Sequence, residues 1–123
     1  MSQLTRGVAI IGAGETTVRV GSANGRGGRN QELALAAALA DWRTRRGVVA
    51  SLGTDGCDNS ATIAGALVDE QTAMRTGREL AAQHLAQHDS TTFFERYAPT
   101  SLLETGPTGT NVADLMLALG EKD

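Results

Sequence analysis

At 123 residues and 12.8 kDa, the chain has room for one compact domain and none for a second. It is 41% hydrophobic and 20% charged, which excludes a disordered chain, and its one cysteine, Cys57, excludes an internal disulfide and a multi-cysteine zinc centre. The net charge of −3 divides unevenly: residues 1–47 carry seven arginines against three acids, residues 48–123 eleven acids against four bases.

No apolar run approaches the ~20 residues of a membrane span. The amino end lacks the basic-then-apolar layout of a signal peptide, so a reducing cytoplasm is expected. Lys122 is the single lysine, which excludes a P-loop and a lysine Schiff base inside the folded body. An acidic chain without a basic stripe interleaved with aromatics is not built for nucleic acid.

Val8–Gly12 and Thr16–Val20 read as short strands rich in branched residues. Gly21–Arg29, with four glycines, is a loop. Asn30 opens a helix predicted to run to near Gly47, with Leu35, Leu39 and Trp42 on one face. Arg43, Arg45 and Arg46 would sit in its last turn, where cations meet the carbonyl end of the dipole. Gly47–Leu52 is a buried strand, residues 53–60 a polar loop and Ala64–Val68 another strand. Gln71–Leu85 and Thr91–Tyr97 read as helices, Ser101–Glu104 as a short strand, and Gly106–Asn111 as a second glycine-rich loop. Periodicity alone fits Val112–Leu119 to strand and helix equally. Strands alternating with helices predict a single α/β domain, a mixed β-sheet covered by helices in an αβα-type layering.

Three loops carry the polar chemistry. In GRGGRNQE (Gly25–Glu32), glycines permit close backbone approach, a helix start presents free N–H groups, and Arg26 and Arg29 add planar donors that match phosphate or carboxylate. The same residues also make an ordinary tight turn. TDGCD (Thr54–Asp58) sets two carboxylates three residues apart after a buried strand, an arrangement that suits a magnesium ion keeping its waters, or an Asx turn. In GPTGTN, Thr108, Thr110 and Asn111 offer donors and acceptors around two glycines, as a phosphate-lining loop or a decorated hairpin would. Ligand sites of open α/β sheets gather beyond strand ends, so the three loops are expected to meet at one edge. His84 and His88 have the spacing of a zinc helix, but Leu85 holds the slot of its essential Glu, and a helix-ending role is favoured. Cys57, beside two acids, is not an activated nucleophile.

Taken in order from Ile10 to Leu119, GAGETTV, GRGGRNQE, TDGCD, DSTTFFE and GPTGTNVADL resemble the MOFRL domain. This is the carboxyl-terminal half of the glycerate 2-kinase family, whose members are often labelled hydroxypyruvate reductase. The resemblance implies ATP-dependent phosphorylation of glycerate at its 2-hydroxyl, with magnesium, across a cleft to an amino-terminal α/β domain. That domain, and the lysine the family carries in it, would come from outside this chain. It also implies a strand for Asp114–Leu119. Carried over, Arg29 and Asp55 become catalytic residues, with Arg26, Asn30, Thr108, Thr110 and Asn111 binding substrate or phosphate. Glu15 and Glu32 support them, Glu32 by locking Arg29, and Asp55 with Asp58 holds the metal. The chain departs from the family pattern at Thr62, in NSATIAG, and at His88 and Ala113. Two other classes fit the same residues: a stand-alone small-anion or nucleotide-binding module, and an interaction half completed by a separate chain or by homo-oligomerisation.

Overall fold

A computed structural model describes residues 7–14, 25–43 and 45–121. Glu15, the expected strand Thr16–Val20 and the first part of the Gly21–Arg29 loop lie outside the described residues.

The chain runs β1 (Gly7–Gly14), α1 (Arg29–Ala38), β2 (Gly47–Gly53), β3 (Ile63–Asp69), α2 (Thr72–Thr76), α3 (Arg78–Ala86), α4 (Ser90–Tyr97), a 3-10 turn (Pro99–Ser101), β4 (Leu102–Glu104) and β5 (Asp114–Glu121). One five-stranded sheet forms in the order β1-β5-β2-β3-β4. One sheet with helices in one small domain is the architecture expected. The direction of the strands differs: every pairing is antiparallel, where a mixed sheet was expected. Alternation of strands and helices suggests parallel crossovers, but β5 returns from the far end of the chain to lie between β1 and β2. That central place, with a ladder on each side, makes the segment a strand, as the family resemblance implied.

α1 lies across β2 and β3 because its buried stripe is small: Ala34, Leu35 and Ala38 pack on Ala66 and Val68. Phe93 and Phe94 of α4, their rings 5.5 Å apart and edge-to-face, close the core with Ala73 and Ala81. Alanine at these positions is what lets helix and sheet approach.

Two helices differ from expectation. α1 stops at Ala38, well short of Gly47, because its last carbonyls find side-chain donors: Trp42 Nε1 donates to the Ala37 carbonyl at 3.1 Å, and Arg78 to that of Leu39. Arg43, Arg45 and Arg46 therefore lie beyond the helix. The long helix expected over Gln71–Leu85 is two, α2 and α3, divided at Gly77, whose φ of +95° breaks the helical path.

Candidate functional site

The amino end of α1 already holds an anion, and that anion belongs to the protein. Asp58, fully buried, reaches the helix from the second polar loop. Its Oδ1 accepts the Asn30 backbone N–H at 3.0 Å and Nδ2 at 3.2 Å; its Oδ2 accepts the Gln31 N–H at 2.8 Å and Nε2 at 3.1 Å. Gly28 makes the approach possible, since a β-carbon there would lie 2.4 Å from the Asp58 carboxyl carbon. Four donors fill the acceptor positions of this carboxylate, so it caps the helix and has no place left for a metal. The network continues inward: Ser51 Oγ donates to Asn30 Oδ1 at 2.7 Å and Thr91 Oγ1 to Gln31 Oε1 at 2.6 Å. Asn30, expected to bind substrate, is thus a buried structural residue.

The second and third loops are zipped together. Thr54 Oγ1 donates to the Ala113 carbonyl at 2.7 Å and accepts the Val112 N–H at 2.9 Å; Thr108 N–H donates to the Asp55 carbonyl at 3.2 Å, and its hydroxyl to that of Thr54. Gly56 sits at φ +83°, where a β-carbon would be 1.9 Å from the Gly106 carbonyl oxygen. Asn59 Nδ2 donates to the Gly27 carbonyl at 2.9 Å, joining the first loop to the second.

Arg29, first residue of α1, and Asp114, first residue of β5, bring the three loops to one end of the sheet. Arg29 Nε donates to Asp114 Oδ2 at 2.6 Å and Nη2 to Oδ1 at 2.9 Å, a two-pronged fork. The Asp114 side chain is 2% exposed and that of Arg29 is 35% exposed, so the guanidinium carries this buried charge to the surface. Asp114 pairs across the ladders with Gly14 on one side and Gly53 on the other. Among the described residues, a β-carbon on Gly14 would meet nothing within 4 Å. Asp55 lies close to the same fork: a β-carbon on Gly53 would lie 3.0 Å from Asp55 Oδ1 and 3.5 Å from Asp114 Oδ1. Asp55 Oδ1 accepts the Cys57 N–H at 3.0 Å, which orients the carboxylate. The result is an arginine fork and a second carboxylate beside the third loop, where Thr110 and Asn111 are exposed.

Other expected site residues are engaged elsewhere. Arg26 makes a fork to Glu95 on α4, at 3.0 and 2.9 Å. The hydrogen bonds from Arg26 hold the Glu95 carboxyl below its ordinary range. Glu32 does not lock Arg29; it stands 2.8 Å from His88 Nδ1, and Asp114 does the locking. His84 and His88 share no ligand, since His84 Nδ1 faces Asp89 Oδ2 at 3.1 Å. The residues missed in the sequence are Asp114, Gln31 and Ser51. Asp114 alone carried a signal, an acid opening an otherwise apolar strand.

A magnesium ion fits this donor set only as a one-carboxylate guest. Among the described residues no group of three or more His, Cys, Asp or Glu side chains could hold a metal ion. Asp55 keeps one oxygen beyond the Cys57 bond, and magnesium tolerates a single carboxylate when substrate phosphates and water complete its shell.

Residues 8–114 match the MOFRL family. The chain is 44% identical over 118 residues to the D-glycerate 2-kinase of Thermotoga maritima, covering 94% of this chain and 28% of that protein. It is 42% identical over 117 residues to the human glycerate kinase, covering 89% of this chain and 22% of that one. Among solved structures, the Thermotoga maritima glycerate kinase superposes with a TM-score of 0.81 at 44% identity, over 91% of this chain and 27% of the other. The PH0495 protein of Pyrococcus horikoshii superposes with a TM-score of 0.79 at 32% identity, over 94% and 26%. The chain thus spans about a quarter of the length of these relatives. With sequence match and fold in agreement over nearly its whole length, the chain belongs to the MOFRL family.

Proposed function

We propose that this chain supplies one wall of a glycerate 2-kinase site, in which ATP phosphorylates the 2-hydroxyl of glycerate with magnesium. The observation that carries the reading is the Arg29–Asp114 fork with Asp55 beside it, where three polar loops meet. Phosphoryl transfer asks little covalent chemistry of a protein; it asks for alignment and neutralised charge. Arg29, held rigid by Asp114, binds the glycerate carboxylate or the transferring phosphate. Asp55 would hold magnesium, which when bound neutralises phosphate charge. Thr108 keeps the third loop on the second, so that Thr110 and Asn111 orient phosphate oxygens. Arg26 fastens the first loop to α4. The remaining wall comes from the part of the kinase outside this chain, and the isolated chain has no glycerate kinase turnover.

The test is a chimaera of the Thermotoga maritima kinase in which this chain replaces the matched quarter. It is expected to turn over ATP in a glycerate-dependent way, with Arg29→Ala costing ten- to a hundredfold in glycerate or ATP affinity, roughly the loss of one charge-assisted fork. Asp55→Ala should remove the magnesium dependence together with most turnover. A folded, active chimaera indifferent to both substitutions would refute the assignment.

A further inference from the structure

All described helices are used on one face of the sheet. α1 meets β2 and β3 there, through Ser51, Val49, Ala66 and Val68, and α2 to α4 gather around α1. The ladder registers define what the other face carries. Ile11, Leu117, Ala50 and Leu67 form one cross-strand row over four strands, and Leu115 beside Leu52 begins the next. Ile11 is 72% exposed, Leu119 43%, Leu115 38% and Leu67 38%. Asp69, at the margin, is the one charged residue in the three rows that span these four strands. A sheet face with water on one side alternates apolar-in with polar-out. Here β5 is apolar on this side, through Leu115, Leu117 and Leu119, and past Asp114 on the helix side too, through Met116 and Ala118, the pattern of a strand covered twice.

We infer that this face is the docking surface for the rest of a glycerate-kinase chain, which lays an apolar layer across β1, β5 and β2. The inference rests on the reading that the chain works with a kinase remainder. Two observations choose this occupant over a second copy. Four strands about 4.8 Å apart, by three rows of side chains about 7 Å apart, present roughly 300–400 Å². Two such faces would bury roughly 600–800 Å², below the ~1,200 Å² of a stable dimer. The similar Thermotoga kinase, by contrast, has 73% of its length outside the superposed region (100% minus the 27% covered), ample chain for a covalently attached layer with further contacts. With Asp69 at the margin as its one charge, the face suits an apolar layer and no polar ligand.

Thiol labelling tests the surface separately from catalysis. With Cys57→Ser as background, Ile11→Cys and Leu115→Cys are compared in the isolated chain and in the kinase chimaera, with Gln83→Cys on exposed α3 as control. Both face positions should label rapidly in the isolated chain and at least tenfold more slowly in the chimaera, while Gln83→Cys is unchanged. Equal labelling in the chimaera overturns the inference. So does a stable dimer of the isolated chain, by sedimentation, in which both positions are already protected. A chimaera that protects both positions yet has no kinase activity upholds the surface and counts against the proposed function alone. Should the chimaera not fold, cysteines at the two superposed positions of the intact Thermotoga kinase decide the matter by the same comparison.

Discussion

Asp58 and Asn30, 28 positions apart, are joined twice through one oxygen, which accepts both the backbone and the side-chain N–H of Asn30. The pair converts the start of α1 from an anion-binding site into a completed junction. Removing the carboxylate by Asp58→Ala strands buried donors on Asn30 and Gln31 and uncaps the helix. Such losses together cost about 3 kcal/mol. Denaturant unfolding should show this loss with or without added magnesium. A variant that melts like wild type would return Asp58 to the list of available ligands.

Arg29 carries two burdens that mutation can separate. Arg29→Ala removes the fork from a nearly buried Asp114 and should cost about 2–3 kcal/mol of stability, more than an exposed loop arginine would. Combining it with Asp114→Asn should recover much of that loss, because the nearly buried charge that lost its arginine is gone, while anion binding stays absent. Calorimetric titration of the chimaera with glycerate, beside thermal melts of wild type and both variants, reads both effects. Recovery of binding in the double variant would exclude Arg29 from the anion site.

Gly56 holds the second and third loops together. Gly56→Ala places a methyl group against the Gly106 backbone at a positive φ, a strain on the order of 2–3 kcal/mol. Amide exchange at Val112 and Thr108, both donors in the zipper, should rise sharply. Exchange unchanged at these two amides would mean the loops are held together by other contacts.

The first loop is fastened to α4 by a group that titrates in acid. Partial burial pushes the Asp89 carboxyl up, but the Arg26 backbone N–H, the Thr92 hydroxyl and His84 together outweigh it and leave the pKa below the ordinary 3.8. A carboxyl so depressed stabilises the fold above pH 3.8, and the stabilisation is lost as pH falls through the lower, folded value. The Arg26 amide resonance should therefore show a step in acid, below about pH 3.8, and Asp89→Asn should abolish that step.

Sequence patterns alone determined the strands at Val8, Gly47, Ala64 and Ser101, the three polar loops and the family, because branched runs, glycine clusters and motif order are local properties. The end of α1 was not among them: Leu35, Leu39 and Trp42 keep helical spacing, yet Trp42 turns back to cap Ala37. Neither was the direction of the sheet, since no local signal tells that β5 will cross to its centre. Only the tertiary structure decided what each charge does. Asp55 and Asp58 look alike in TDGCD, but among the described residues four donors converge on the Asp58 carboxylate and one on that of Asp55, which leaves the latter with an oxygen to offer. Arg29 found its partner 85 residues away in Asp114, while the nearby Glu32 went to His88. A carboxylate's role depends on which donors the fold brings within about 3 Å, and that distance is set by packing across the whole sheet.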